Sequence, residues 1–318
     1  MPQSIDAQVL FTPSSEELRF LPEGPYRCPD GRISWVAIQH GANAHTGSLN
    51  ILDLATDNNE NFPLAGRPGF AFPTTRDGVF IIGQERTVGL FDTRTRTFDS
   101  ILAGVDQQVD GTIINDGLVY DGHLIFGCKD LKFTDKKAGL YLLRAGESQP
   151  VLLSGEQICS NGKAISRVAD GSLTLYDICS CSKQVLAWQL DIEQGTIRSP
   201  RVAVDLTAEP VFPDGMIMTA DGSGLIVALY DPRESDHGQA RLYDSQTGEL
   251  KTIWRCAGSP RVTCPQLIER AGRIELLLTT ANEGMSPELR AKSPHAGCLF
   301  IAPTELTALN DAPLYSID

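Results

Sequence analysis

Histidine, methionine and tryptophan are scarce in this chain, basic residues are outnumbered by acidic ones, and no apolar run approaches the thickness of a bilayer. The 5 histidines, His40, His45, His123, His237 and His295, never fall at the i, i+4 spacing with which a helix offers two imidazoles to zinc, so a histidine-held metal is not expected. A membrane helix needs about 18 or more consecutive apolar residues, and none is present. The first residues, Met1-Pro2-Gln3-Ser4-Ile5-Asp6, lack the basic and then apolar regions of a secretory signal, and the expectation is a soluble, cytoplasmic protein. With 27 Lys and Arg against 40 Asp and Glu the formal charge is -13, which argues against nucleic acid, whose binding rests on clustered cations. A small-molecule partner fits better. The nucleophile elbow Gly-x-Ser-x-Gly is absent, and with it the signature of an α/β-hydrolase serine. The 8 cysteines (Cys28, Cys128, Cys159, Cys179, Cys181, Cys256, Cys264, Cys298) show no two-residue-gap pair; Cys179-Ser180-Cys181 stands alone, and reduced thiols are expected throughout.

What the chain does have is a repeat. Asp-Gly recurs at Asp30-Gly31, Asp77-Gly78, Asp121-Gly122, Asp170-Gly171 and Asp221-Gly222, with Ala271-Gly272 in sixth place, at gaps of 47, 44, 49, 51 and 50 residues. Each follows a short segment such as Leu118-Val119-Tyr120 and precedes an apolar run such as Val79-Phe80-Ile81-Ile82, the signature of a β-hairpin. A third strand follows in most units, as in Gly139-Leu140-Tyr141-Leu142. Antiparallel units of this length predict an all-β, six-bladed β-propeller, one domain over residues 1–318 with blades at roughly 20–60, 64–104, 108–153, 156–197, 202–254 and 260–307. Long helices are not expected, because apolar positions rarely recur at helical spacing.

Ahead of each first strand stand polar residues at one register: Glu23, Asn115, Asn161 and Asp214. In a propeller the innermost strands line the axis, so these four side chains would converge. Two carboxylates and two amides make a hard oxygen donor set, suited to one divalent metal, calcium first, with magnesium, manganese or zinc as alternatives. Singly, Asn115-Asp116-Gly117, Asn161-Gly162 and Asp214-Gly215 are equally well read as turn formers. Their shared register, and Glu23, which turn propensity does not explain, favour the central metal site.

The same residues carry a resemblance. Glu23-Gly24-Pro25, Asn115-Asp116-Gly117, Ser160-Asn161-Gly162 and Phe212-Pro213-Asp214-Gly215, with Arg261-Val262-Thr263, Leu277-Leu278-Thr279-Thr280-Ala281 and Ala296-Gly297-Cys298-Leu299-Phe300 near the end, resemble the senescence-marker-protein/gluconolactonase/luciferin-regenerating-enzyme family over about Phe20 to Thr307. The resemblance implies that Glu23, Asn161 and Asp214 hold the metal, with Asn115 lining the substrate site and within reach of the ion. It implies a metal-dependent hydrolase of a lactone or small ester, in which the ion polarises the carbonyl and activates water. Asp214 is then the candidate base, with Asp116 in reserve. Ile113 departs from the Arg that many sugar lactonases of the family carry two residues before this Asn, which points away from polyhydroxylated substrates. Lys129 or Lys132, in Gly127-Cys128-Lys129-Asp130-Leu131-Lys132, would offer a cation to an anionic substrate group, or else lie on a solvated loop. His40 is expected as a pocket wall. Phosphoric-ester hydrolysis on the same metal, or a metal- or metabolite-binding propeller without turnover, are the competing functions.

Overall fold

The alternation of short apolar runs with Asp-Gly turns is reflected directly in the computed structural model, which describes residues 2–168 and 170–317. Nearly all regular structure is strand; one six-residue helix, Pro287–Lys292, starts at Ser286, whose side chain accepts from the Leu289 N–H. Among the described residues no helix is long and apolar enough to cross a membrane.

Four sheets are four-stranded antiparallel meanders. The first contains Pro22–Arg27, Ile33–Ala37, Gly47–Asp53 and Asn58–Leu64, and the second runs from Pro68–Pro73 to Thr97–Ala103. The third runs from Thr112–Tyr120 to Val151–Gln157, and the fourth from Ser160–Arg167 to Thr196–Asp205. The remaining eight strands form one continuous sheet. Here Phe212–Met218 opens a meander that ends at Leu250–Ala257, while Val262–Arg270, Arg273–Thr280 and Leu299–Pro303 form the last one. Joining them is Gln3–Phe11, parallel to Leu250–Ala257 and antiparallel to Leu299–Pro303. This strand lies outside the repeat as read from sequence; the last meander takes its fourth strand from the other end of the chain.

Apolar clusters bridge neighbouring meanders. Val36 and Phe62 of the first meet Phe80 and Ile82 of the second; Phe70 and Ile81 meet Phe126 of the third; Ile125 and Leu140 meet Leu175 of the fourth. Tyr176 and Val185 meet Met216 and Val227; Ile226 and Trp254 meet Leu267 and Phe300; Ile268 and Ile301 return to Ile33 of the first sheet. First strands contact first strands in the same cyclic order. The core therefore lies between repeated sheets, an arrangement consistent with a propeller.

The Asp-Gly signals are real turns. Gly31, Gly78, Gly171 and Gly222 all have positive φ, and Asp121-Gly122 and Ala271-Gly272 have it at both residues, as a type I′ hairpin requires.

Candidate active site

Every first strand is irregular at one level. Pairing with the second strand shifts register between Glu23 and Tyr26, Pro68 and Phe70, Ile114 and Asp116, Asn161 and Lys163, Pro213 and Met216, and Val262 and Pro265. A bulge re-aims the side chain beside it and breaks the strict alternation of faces. Glu23, Asn115, Asn161 and Asp214 all sit at these bulges. The turn-former reading of Asn161-Gly162 and Asp214-Gly215 is therefore overturned, since both pairs lie inside strands. Their glycines are there for close approach instead. A Cβ on Gly162 would lie 2.4 Å from the Met216 nitrogen and 2.7 Å from the Asp214 carbonyl oxygen, and one on Gly215 would lie 2.5 Å from the Cys264 Sγ.

All four expected side chains are buried, at 6 to 9% exposure. The Asn115 Nδ2 donates to Asn161 Oδ1 at 2.9 Å and to the Ser160 carbonyl at 2.8 Å, which directs the Asn115 Oδ1 the other way. The Asn161 Nδ2 donates to Ser180 Oγ at 2.8 Å, leaving its Oδ1 facing Asn115. The Gly24 N–H donates to Glu23 Oε2 at 2.8 Å, and the Gly117 N–H donates to Asp116 Oδ1 at 2.7 Å. Among the described residues no hydrogen-bond donor reaches the Asp214 carboxylate.

Burial without donors is costly for a carboxylate, and the three acids also repel one another. Desolvation and then the Asp116 charge push Glu23 far up. Desolvation, Glu23 and Asp116 push Asp214 well above the carboxylate range. Burial raises Asp116 against the opposing Lys163 charge. The Cys264 thiol, beside Glu23, is held protonated by burial and by all three acids. Lys129 is the cation that offsets both Glu23 and Asp214, whereas Lys132 is exposed on the loop beyond. Ile113 is the register partner of Lys129 and shares its face of the sheet. Buried itself, Ile113 lies outside the apolar clusters that take up its neighbour Ile114. His40 is not brought to the acids: its Nε2 lies 3.0 Å from Ser48 Oγ, and burial lowers its pKa.

A cavity of about 860 Å³ is lined by first-strand residues of the repeated sheets, among them Asp116, Lys163 and Cys264, and by Leu309–Pro313. The tail is fastened there by Tyr26, whose hydroxyl donates to the Pro313 carbonyl at 2.7 Å.

Several neighbours of the site had no sequence signal. Lys163, fully buried, donates from Nζ to the Asn161 carbonyl at 2.6 Å and pairs with Asp177 at 3.6 Å. Burial pushes Asp177 up to about 6, against the Lys163 charge. Gln157 donates to Asp177 at 2.9 Å. The Cys159 Sγ accepts from both Asn115 and Asn161 amides, at 3.8 and 3.7 Å. All 8 cysteines are free thiols.

The donor set fits a hard cation. Buried carboxylate and amide oxygens point at one level with few protein donors, and the acids repel unless a positive charge joins them. Among the described residues no cluster of three or more His, Cys, Asp or Glu has metal-holding geometry, so such a site has to draw on the asparagine oxygens as well as Glu23 and Asp214.

The chain is similar to known proteins in sequence and in fold. Regucalcin of Danio rerio is 29% identical over 231 residues, 70% of this chain and 72% of that protein. L-arabinolactonase of Azospirillum brasilense is 27% identical over 288 residues, 89% of this chain and 88% of that one. The crystal structure of regucalcin from Agrobacterium tumefaciens strain C58, a calcium-binding protein, superposes with a TM-score of 0.83 at 21% identity, covering 99% of each chain. The family model described as SMP-30/Gluconolactonase/LRE-like region matches residues 21–282, most of the sequence, and the chain belongs to that family.

Proposed function

We propose that this chain is a one-domain, six-bladed propeller over residues 1–318 that hydrolyses a small lactone at a divalent cation held by Glu23, Asn161 and Asp214, with Asn115 beside them. The observation that carries the reading is the Asp214 carboxylate: buried, crowded by Glu23 and Asp116, and unmatched by any hydrogen-bond donor among the described residues. Such a group is stabilised by a cation or by a proton, and the oxygen-rich surroundings favour calcium, with magnesium, manganese or zinc as substitutes. The calcium-binding and lactonase relatives support both halves of the proposal.

When bound, the cation supplies Lewis acidity at the lactone carbonyl. The chain's own residues do the rest. Asp214 keeps one oxygen free to take the proton of the attacking water; the ring C–O bond then breaks, and the departing alkoxide takes that proton back from Asp214 to give a hydroxy acid. Asp116 stands by as an alternative acceptor. Asn115, fixed by its two donated hydrogen bonds, presents its oxygen to the ion or to the substrate. Ile113 gives the pocket an apolar wall. The test is a panel of γ- and δ-lactones beside a phosphotriester, each with calcium and with chelator. Lactone turnover abolished by chelator supports the proposal; turnover of the phosphotriester alone, or of nothing with any of the four metals, overturns it.

A further inference from the structure

A cation and an exposed aromatic ring lie together one strand from the bulge that carries Asn115. Lys129 lies in the strand His123–Asp130, half-buried, and makes no ion pair among the described residues. Its backbone bridges to Cys159, whose sulfur touches the amides of Asn115 and Asn161, so Lys129 sits one strand from the proposed ligands. Its ammonium lies 5.8 Å from the centre of the Phe133 ring. Phe133 is 51% exposed and has a φ of 55°, an unfavourable combination for an aromatic residue on two counts: apolar surface in water and a left-handed backbone.

The fold enforces that conformation. Asp130, with no exposed side-chain surface, accepts from the N–H groups of Lys132, Thr134 and Asp135 and pairs with Lys137 at 3.1 Å. These contacts hold its carboxyl far below the usual range. A buried acid that gathers three backbone donors makes the Leu131–Lys137 loop a rigid platform, and the residue this platform displays is Phe133.

Resting on the lactonase reading, we infer that the substrate is a lactone carrying a single carboxylate on an otherwise apolar frame, with the carboxylate on Lys129 and the frame against Ile113 and Phe133. A monoanion is favoured over a phosphate because one ammonium is a single point charge. The apolar frame follows from the register: Ile113 lies directly across from Lys129 and adds no hydrogen-bonding group. Lys132 is excluded as the anchor because it points to solvent.

Two measurements test this together. The first is calorimetric binding of tetrahydrofuran-2-carboxylate and tetrahydrofuran-2-carboxamide, which have no scissile ester, to the calcium-loaded protein. The carboxylate should bind about tenfold or more tighter, as expected for one charge-assisted hydrogen bond, and the ratio should shrink with salt. In Lys129→Met, which keeps the apolar stem, the ratio should fall to about one; Lys132→Met should leave it unchanged. The second is kcat/KM for 5-oxotetrahydrofuran-2-carboxylate against its primary amide, where the same ratio and the same response to Lys129→Met are expected. An absent carboxylate preference in the wild type, or one that survives Lys129→Met, overturns the inference. If Lys129 serves only to balance the acids, the substitution changes calcium affinity and weakens both probes alike, and the inference fails. If the binding preference is found but neither lactone turns over, the carboxylate site stands and the hydrolase reading falls.

Discussion

Ile113→Arg is the substitution whose effect the geometry fixes most closely. Ile113 is 4% exposed, lies one residue from the bulge that aims Asn115, and faces Lys129 across the ladder. A substrate hydroxyl set against its side chain loses water and gains no partner, at about 1 to 3 kcal/mol per group, or roughly 5- to 150-fold in kcat/KM. Gluconolactone, with several hydroxyls, should therefore be a poorer substrate than δ-valerolactone by one to two orders of magnitude. Arginine supplies up to five donors and should move the ratio back by at least tenfold. Directly opposed like charges destabilise a sheet pair by up to about 1 kcal/mol, so Ile113→Arg with Lys129→Met should show the larger shift and the higher melting temperature. The assay is kcat/KM for both lactones on the three proteins, read as a ratio so that partial unfolding cancels. A wild type that prefers gluconolactone, or a ratio indifferent to the substitution, would mean that Ile113 does not face the substrate.

Asp214→Asn, nearly isosteric but without charge or basicity, should lower turnover by about a thousandfold at saturating calcium while leaving the circular dichroism spectrum intact; turnover near the wild-type rate would pass the base role to Asp116. In the metal-free protein Glu23 and Asp214 hold protons more tightly folded than unfolded, so stability is fully present below their unfolded values, 4.5 and 3.8, and is lost as pH rises through the raised folded values. Melting temperature without metal should fall from pH 5 to pH 9, by up to about 1.4 kcal/mol of stability per unit for each proton taken up, and saturating calcium should flatten the slope; a flat metal-free profile would contradict the burial of these acids. Deleting residues 2–11 exposes the ladder edges of Leu250–Ala257 and Leu299–Pro303, at a cost on the order of 5 kcal/mol and with aggregation; an unchanged melting temperature would mean that Gln3–Phe11 is not needed to hold the two meanders together.

The repeat was legible because it is local: an Asp-Gly turn and its two flanking strands are specified within about fifteen residues. The strand Gln3–Phe11 was not, since its partners lie some 250 and 290 positions away and no turn announces them. Glu23 could be read as functional because no turn or core demands a glutamate there. Asn161-Gly162 and Asp214-Gly215 remained ambiguous because glycine serves two ends, positive φ and the absence of a Cβ, and only the approach of neighbouring strands shows which applies. Lys129 and Lys132 were indistinguishable in sequence; the end of the strand at Asp130 separates them, leaving one beside the acids and the other in solvent. Lys163 and Asp177 are joined through a buried ion pair between adjacent strands, which no spacing rule encodes.

The most direct test of the central claim is calcium titration by calorimetry of the chelator-stripped protein, its Glu23→Gln and Asp214→Asn variants, and a Glu249→Gln control at an exposed glutamate. One ion per chain should bind to the wild type and to the control, with affinity reduced at least a hundredfold in both site variants and lactone turnover restored in proportion to occupancy. Equal affinity in all four proteins, or turnover that persists in the stripped wild type, would contradict it.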